Sequence, residues 1–158
     1  MSNPLKISEA ASLALHAAGL MATTEGGPCS AEVIADTLGA SRSHLVKVLQ
    51  RLAKAGLVRS SRGPRGGYSL TRPPAGITAR EVYETVEGPI DVKTCAMAVP
   101  TCGSASCVLG DKFCRIATEV REQLEGITMA DFGVSVAESV CVGSGSRGVN
   151  RGGGKNAR

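Results

Sequence analysis

The chain has no tryptophan and only two phenylalanines and two tyrosines among its 158 residues. A core without large rings must be filled by aliphatic side chains and alanine, which suits closely packed helices and predicts a mainly α protein. No apolar run approaches the roughly 18 residues needed to span a bilayer, and the N-terminus lacks a basic region followed by a hydrophobic signal core. These absences predict a cytoplasmic protein with no membrane partner. The most informative absence is of acid. Between Thr37 and Arg80 there is no Asp or Glu, yet nine basic residues stand there: Arg42, Lys47, Arg51, Lys54, Arg59, Arg62, Arg65, Arg72 and Arg80. A block of one sign this long is expected to face a polyanion.

Total charge alone would mislead. The net charge is +4, but residues 1–142 hold 14 Lys plus Arg against 14 Asp plus Glu, so the whole excess lies in the last residues. That stretch is too rich in glycine to bury a core and is expected to be a disordered basic tail over 143–158. Two further regions are expected before it: a DNA-binding region over 1–74, and a sensor and dimerisation region over 75–142.

Periodicity and punctuation predict the elements. An Ala- and Leu-rich helix runs from Ile7 to about Thr23, and Glu25-Gly26-Gly27-Pro28 ends it. Ser30 is placed to cap a short helix that Gly39 stops. Ser41 is placed to cap the next, in which Leu45, Val48, Leu49 and Leu52 make a buried stripe and Arg42, Ser43, His44, Lys47, Arg51 and Lys54 form the other face. After Gly56, Leu57-Val58 and Tyr68-Ser69-Leu70 are expected to pair across Arg62-Gly63-Pro64-Arg65-Gly66-Gly67. A helix pair followed by a basic hairpin is a winged helix-turn-helix. Thr78 and Glu81 make a capping box for a helix that Gly88-Pro89 closes. Residues 90–110 show no period and read as a loop. Asp111 is placed to cap a helix with the apolar stripe Phe113, Ile116, Ala117, Val120, Leu124 and Ile127, and Thr128 with Asp131 begins a last short helix. The stripe, together with the first helix, predicts a homodimer on a roughly palindromic operator.

Cys95, Cys102, Cys107 and Cys114 fall within twenty residues of one another. In a reducing compartment such a cluster binds metal or reports redox state rather than forming structural disulfides. Cys29 and Cys141 lie apart and read as buried or incidental thiols. An electron carrier would present Cys-x2-Cys spacing and needs no basic helix. An enzyme would need a nucleophile or an acid-base pair, and neither His16 nor His44 has a sequence partner, so catalysis is not expected.

Leu13-Ala14-Leu15-His16, the helix from Ser41 to Leu52, Gly56-Leu57-Val58, and above all Arg62-Gly63-Pro64-Arg65-Gly66-Gly67-Tyr68 resemble the Rrf2 family of bacterial transcription regulators. The resemblance covers roughly residues 5 to 139. It implies a winged-helix regulator, as a rule a repressor, with a dimerisation helix and a cysteine-bearing loop; some members sense iron-sulfur status or nitric oxide. It further implies that Cys95, Cys102 and Cys107 hold an iron-sulfur cluster, 2Fe-2S or 4Fe-4S. Some members place a His three residues after the third Cys, where this chain has Gly110. Cys114, His16 or Glu9 are the candidate fourth ligands, the last two reaching from a partner subunit. Zinc, or a metal-free thiol or partner-protein regulator, are the alternatives. Arg42, Ser43, His44 and Lys47 are placed to reach base edges, Arg51, Lys54 and Arg59 to meet phosphates, and Arg62 or Arg65 to enter the minor groove.

Overall fold

Alanine decides the centre of the fold. In the computed structural model, residues 7–24, 27–63, 66–90 and 110–144 are described, with the backbone alone at 110, 111 and 137–144. Helix α1 (Glu9–Thr23) buries Ala11, Leu13, Ala14, Leu15, Ala17, Ala18 and Met21. Small side chains on most of its faces let α2 (Ala31–Leu38), α3 (Arg42–Lys54), α4 (Ala79–Glu87) and α6 (Met129–Ser144) all pack against it. Two glycines stand where α6 meets α1. A Cβ on Gly19 would stand 2.9 Å from Phe132 Cδ1, and one on Gly133 would stand 3.2 Å from Ala22 Cβ. Ser8 caps α1, its Oγ accepting from the Ala11 N–H at 3.0 Å.

The first helix, expected from sequence to be one candidate for packing with a second copy, packs against α6 within the same chain and keeps His16 exposed. Helix α6 is also not short: it has 16 residues and runs to Ser144. Gly133 stands where α6 lies close to α1.

Helices α2 and α3 form the helix-turn-helix. Ser30 accepts from the Val33 N–H at 3.2 Å, and Gly39 ends α2 in the left-handed region. Ile34, Leu45, Leu49 and Leu52 are fully buried, so the stripe expected in α3 is the one that packs. Ser41 stands at the start of α3 but makes no side-chain cap; its hydroxyl meets the Ser43 hydroxyl at 2.9 Å. Ser41 thus gives the first amides of α3 no side-chain acceptor, a state suited to an anion.

The wing consists of β1 (Val58–Ser61) and β2 (Gly67–Leu70), antiparallel with Val58 opposite Leu70 and Ser61 opposite Gly67. A third segment joins them. Cys29 and Tyr68 exchange two backbone hydrogen bonds of 2.8 Å, tying the outer edge of β2 to the start of the helix-turn-helix. The approach requires Gly67, because a Cβ there would lie 2.4 Å from the Cys29 carbonyl oxygen. Cys29 is buried, and burial raises its thiol pKa.

A single-turn 3₁₀ helix, Pro74–Gly76, leads from the wing to α4. Thr78 and Glu81 form the expected capping box, with both reciprocal hydrogen bonds made. Thr128 and Asp131 repeat the device at α6. The two helix starts are pinned side by side: the Ala79 N–H donates to the Ile127 carbonyl at 2.8 Å and the Met129 N–H to the Ile77 carbonyl at 2.9 Å. Between them runs α5 (Gly110–Gly126), which begins one residue before Asp111, so that Asp111 lies inside its first turn rather than capping it. Arg80 joins α4 to α5, with Glu84 and Glu125 carboxylate oxygens each 3.2 Å from its guanidinium. Leu124 packs on the core, while Phe113 and Ile116 are 49% and 53% exposed on the first half of α5. Among the described residues no helix is long and apolar enough to cross a membrane.

Candidate nucleic-acid interface

Helical spacing divides the residues of α3 among three directions. Leu45, Val48, Leu49 and Leu52 face the core. His44 and Arg51, seven residues apart and so on one flank, turn toward neighbouring helices: His44 Nδ1 lies 3.7 Å from Glu9 Oε1, and Arg51 Nη1 donates to the Val86 carbonyl at 3.3 Å. The solvent side remains. Arg42, Ser43, Val46, Lys47 and Gln50 line one shallow open groove there.

The described members of the nine basic residues therefore do not share one environment. Arg59 donates from Nε to Ser69 Oγ at 3.0 Å across the wing, and Arg72 pairs with Glu81 at 2.7 Å. Arg80 is held by α4 and α5, and Glu84 raises its pKa against partial burial. Arg51 serves the C-terminal turn of α4, where carbonyl groups carry the negative end of the helix dipole. Arg42, Lys47, Lys54 and Arg62 make no ion pair or hydrogen bond among the described residues. Arg62 is exposed at the wing, where the turn closes through a 2.9 Å hydrogen bond from the Gly66 N–H to the Gly63 carbonyl. Arg65 lies outside the described residues. Charge counting singles out all nine; side-chain partners distant in sequence separate them. Gln50 and Val46, being uncharged, escape a reading by charge, though their place opposite the buried stripe was visible in the periodicity.

Cys95, Cys102 and Cys107 lie outside the described residues, between the end of α4 and the start of α5. Cys114 is half-buried in the second turn of α5. His16 is exposed, and its Nδ1 stands 2.7 Å from the Ser12 carbonyl oxygen. A carbonyl only accepts, so Nδ1 carries the proton, and in the neutral ring Nε2 keeps its lone pair. The ring meets Phe132 edge-on with centroids 5.3 Å apart. Glu9 and His16 line a common groove with Ser12, Leu38, Gly39 and Ala40, beside the turn of the helix-turn-helix. Glu9 Oε1 lies 3.7 Å from His44 Nδ1 while its side chain stays 85% exposed, so both Glu9 and His16 are open to this groove. Among the described residues no three His, Cys, Asp or Glu side chains converge as a complete metal site.

Comparison with known proteins places this arrangement. The sequence model of the Rrf2 family, described as an iron-dependent transcriptional regulator, matches residues 7–134. An HTH-type transcriptional regulator, ORF2, of Azotobacter vinelandii is 34% identical over 120 residues, covering 76% of this chain and 69% of that protein. The Escherichia coli HTH-type transcriptional regulator IscR is 37% identical over 89 residues, 56% of this chain and 51% of its own length, so that match spans about half of the relative. Among solved structures, CymR of B. subtilis, titled the global cysteine regulator, superposes with a TM-score of 0.69 at 31% identity over 82% of this chain and 97% of that one. IscR of T. potens gives the same TM-score at 28% identity, covering 86% and 91%. The winged-helix fold is common to this chain and these regulators, whose function is transcriptional regulation rather than catalysis. The chain belongs to the Rrf2 family of DNA-binding transcription regulators.

Proposed function

We propose that this protein is a homodimeric repressor whose affinity for a roughly palindromic operator is set by an iron-sulfur cluster on the cysteine-bearing segment. The observation that carries the reading is the spacing Cys95-x6-Cys102-x4-Cys107, three thiolates with Gly103, Ser104 and Ala105 between the second and third, in a chain whose family model is described as iron-dependent. Thiolates on a small-residue loop suit iron and sulfide better than zinc, whose structural sites favour Cys-x2 to 4-Cys knuckles. Cys95, Cys102 and Cys107 are the proposed ligands. His16 of a second copy is the fourth-ligand candidate whose chemistry fits best: it is exposed, and its Nδ1–H is already held by a carbonyl, as in most ligating histidines. Cys114 and Glu9 remain the other candidates. Bound there, the cluster would supply a redox- and ligand-sensitive group.

The chain's own residues supply the transmission. The cysteine segment follows α4, whose last turn accepts from Arg51 of α3, and it precedes α5, whose exposed Phe113 and Ile116 offer an apolar face to a second copy. A change in that segment therefore bears on both the recognition helix and the spacing of two winged helices. Similarity to CymR favours a second reading, a cluster-free regulator acting through thiols or a partner protein.

Iron, acid-labile sulfide and zinc measured on protein purified without oxygen test the proposal. Stoichiometric iron and sulfide with broad visible absorption are expected. Zinc alone, or no metal after reconstitution, refutes the cluster and leaves the second reading.

A further inference from the structure

Positive charge holds a protein on any duplex; choosing a sequence takes side chains that match base edges. The flank of α3 bearing His44 and Arg51 is turned toward Glu9 and the Val86 carbonyl, which leaves the groove lined by Arg42, Ser43, Val46, Lys47 and Gln50 as the surface facing outward. Three of those five are uncharged; the Ser43 hydroxyl is already 2.9 Å from the Ser41 hydroxyl, which leaves Val46 and Gln50 as the uncharged side chains whose base-edge chemistry is uncommitted. Gln50 is exposed, and its amide has no hydrogen-bond partner among the described residues. Val46 sits one turn earlier on the same surface.

We propose that Gln50 reads an adenine and Val46 a thymine methyl in the major groove, which makes A·T pairs one or two positions apart the discriminating feature of the half-site. A glutamine amide offers one acceptor and one donor side by side, the complement of the adenine N6–H and N7. Guanine presents two acceptors on that edge and cytosine only a donor, so neither satisfies both atoms of the amide. The Val46 isopropyl group, with no polar atom, gains only from an apolar neighbour, and the thymine C5 methyl is the apolar group in this groove. Residues four apart on a helix have Cβ atoms about 5–6 Å apart. With a rise of about 3.4 Å per base pair, the thymine lies one or two pairs from the adenine. The assignment deepens the DNA-binding half of the proposed function and does not depend on the iron-sulfur half.

The test is selection of bound duplexes from a random pool by the full chain, compared with Gln50→Ala, Gln50→Glu and Val46→Ala. The wild-type chain is expected to enrich an adenine with a thymine one or two pairs away. Gln50→Ala should level the adenine position, losing about ten- to a hundredfold of discrimination, without changing the salt dependence. Gln50→Glu should move the preferred base toward cytosine, whose N4 amino group donates to a carboxylate, a change that loss of structure would not produce. Val46→Ala should weaken the thymine preference alone. Base preferences in Gln50→Ala identical to wild type at every position, or an equal loss on all duplexes, overturn the proposal. A wild-type chain that enriches no sequence refutes sequence-specific binding itself, and this assignment with it.

Discussion

Replacing basic residues one at a time should separate them into two groups by salt dependence. Each phosphate neutralised by a side chain adds about 0.9 to the slope of log K against log salt on B-form DNA. Arg42, Lys47, Lys54 and Arg62 have no partner among the described residues, so their charge is available to phosphates. Arg51 is tied to the Val86 carbonyl and Arg72 to Glu81. Lys47→Ala should therefore flatten the slope by about 0.9, or about 1.8 if two copies bind one site. Over a fourfold rise in salt, that is a change of about 3.5-fold or about 12-fold in relative affinity. Arg51→Gln removes one exposed hydrogen bond of 3.3 Å, worth roughly 0.5–1 kcal/mol, and should leave the slope unchanged. Fluorescence anisotropy of a labelled duplex between 50 and 200 mM salt, a span suited to such contacts, reads both. If Arg51→Gln flattens the slope as much as Lys47→Ala, its guanidinium reaches a phosphate, and the division of the basic residues by their internal partners is wrong.

Two further outcomes concern stability. Gly67→Ala would place a Cβ 2.4 Å from the Cys29 carbonyl oxygen and 2.6 Å from its carbon, so β2 must leave Cys29 and lose two hydrogen bonds. A loss of roughly 2 kcal/mol, seen as roughly 4–8 °C in the melting temperature, is expected, and an unchanged melting curve refutes the contact. Acid should loosen both capping boxes. Burial pushes the Glu81 pKa up, but the Thr78 N–H and Arg72 outweigh it, and the Thr128 hydroxyl and N–H lower that of Asp131. A depressed folded-state pKa contributes stability above the ordinary carboxylate value, 4.5 for Glu81 and 3.8 for Asp131, and that stability is lost as pH falls through the folded value. Melting temperatures from pH 7 down to 3 should therefore fall less steeply in Glu81→Gln than in wild type; parallel curves contradict the assignment.

What could be read in advance was local. Ser30, Gly39, Thr78 with Glu81, and the Leu45 to Leu52 stripe act within one or two turns, and each stands where its spacing puts it. What could not be read depends on residues far apart in the chain. Glu9 reaches His44 and Arg51 reaches Val86, so a helix face that looks uniformly basic has one flank leaning on α1 and α4. The Cys29 segment adds only one bridge to the wing, too short to leave an alternating pattern. Gly19 and Gly133 carry no sign, taken singly, of a helix contact that exists only when both are brought together. The candidate site was legible in its charges, whereas Val46 and Gln50 became distinguishable once the flanks of α3 were assigned.

The central claim is that the state of the cysteine-bearing segment sets DNA affinity, and the most direct measurement is the ratio of dissociation constants for one selected duplex between cluster-loaded and cluster-free protein at equal salt. Coupling between two sites of this kind is commonly about 5- to 150-fold. The account predicts a ratio in that range, in either direction, that shrinks when Cys102 is replaced by alanine. Equal constants for the two forms, with the cluster shown to be present in one of them, would contradict it.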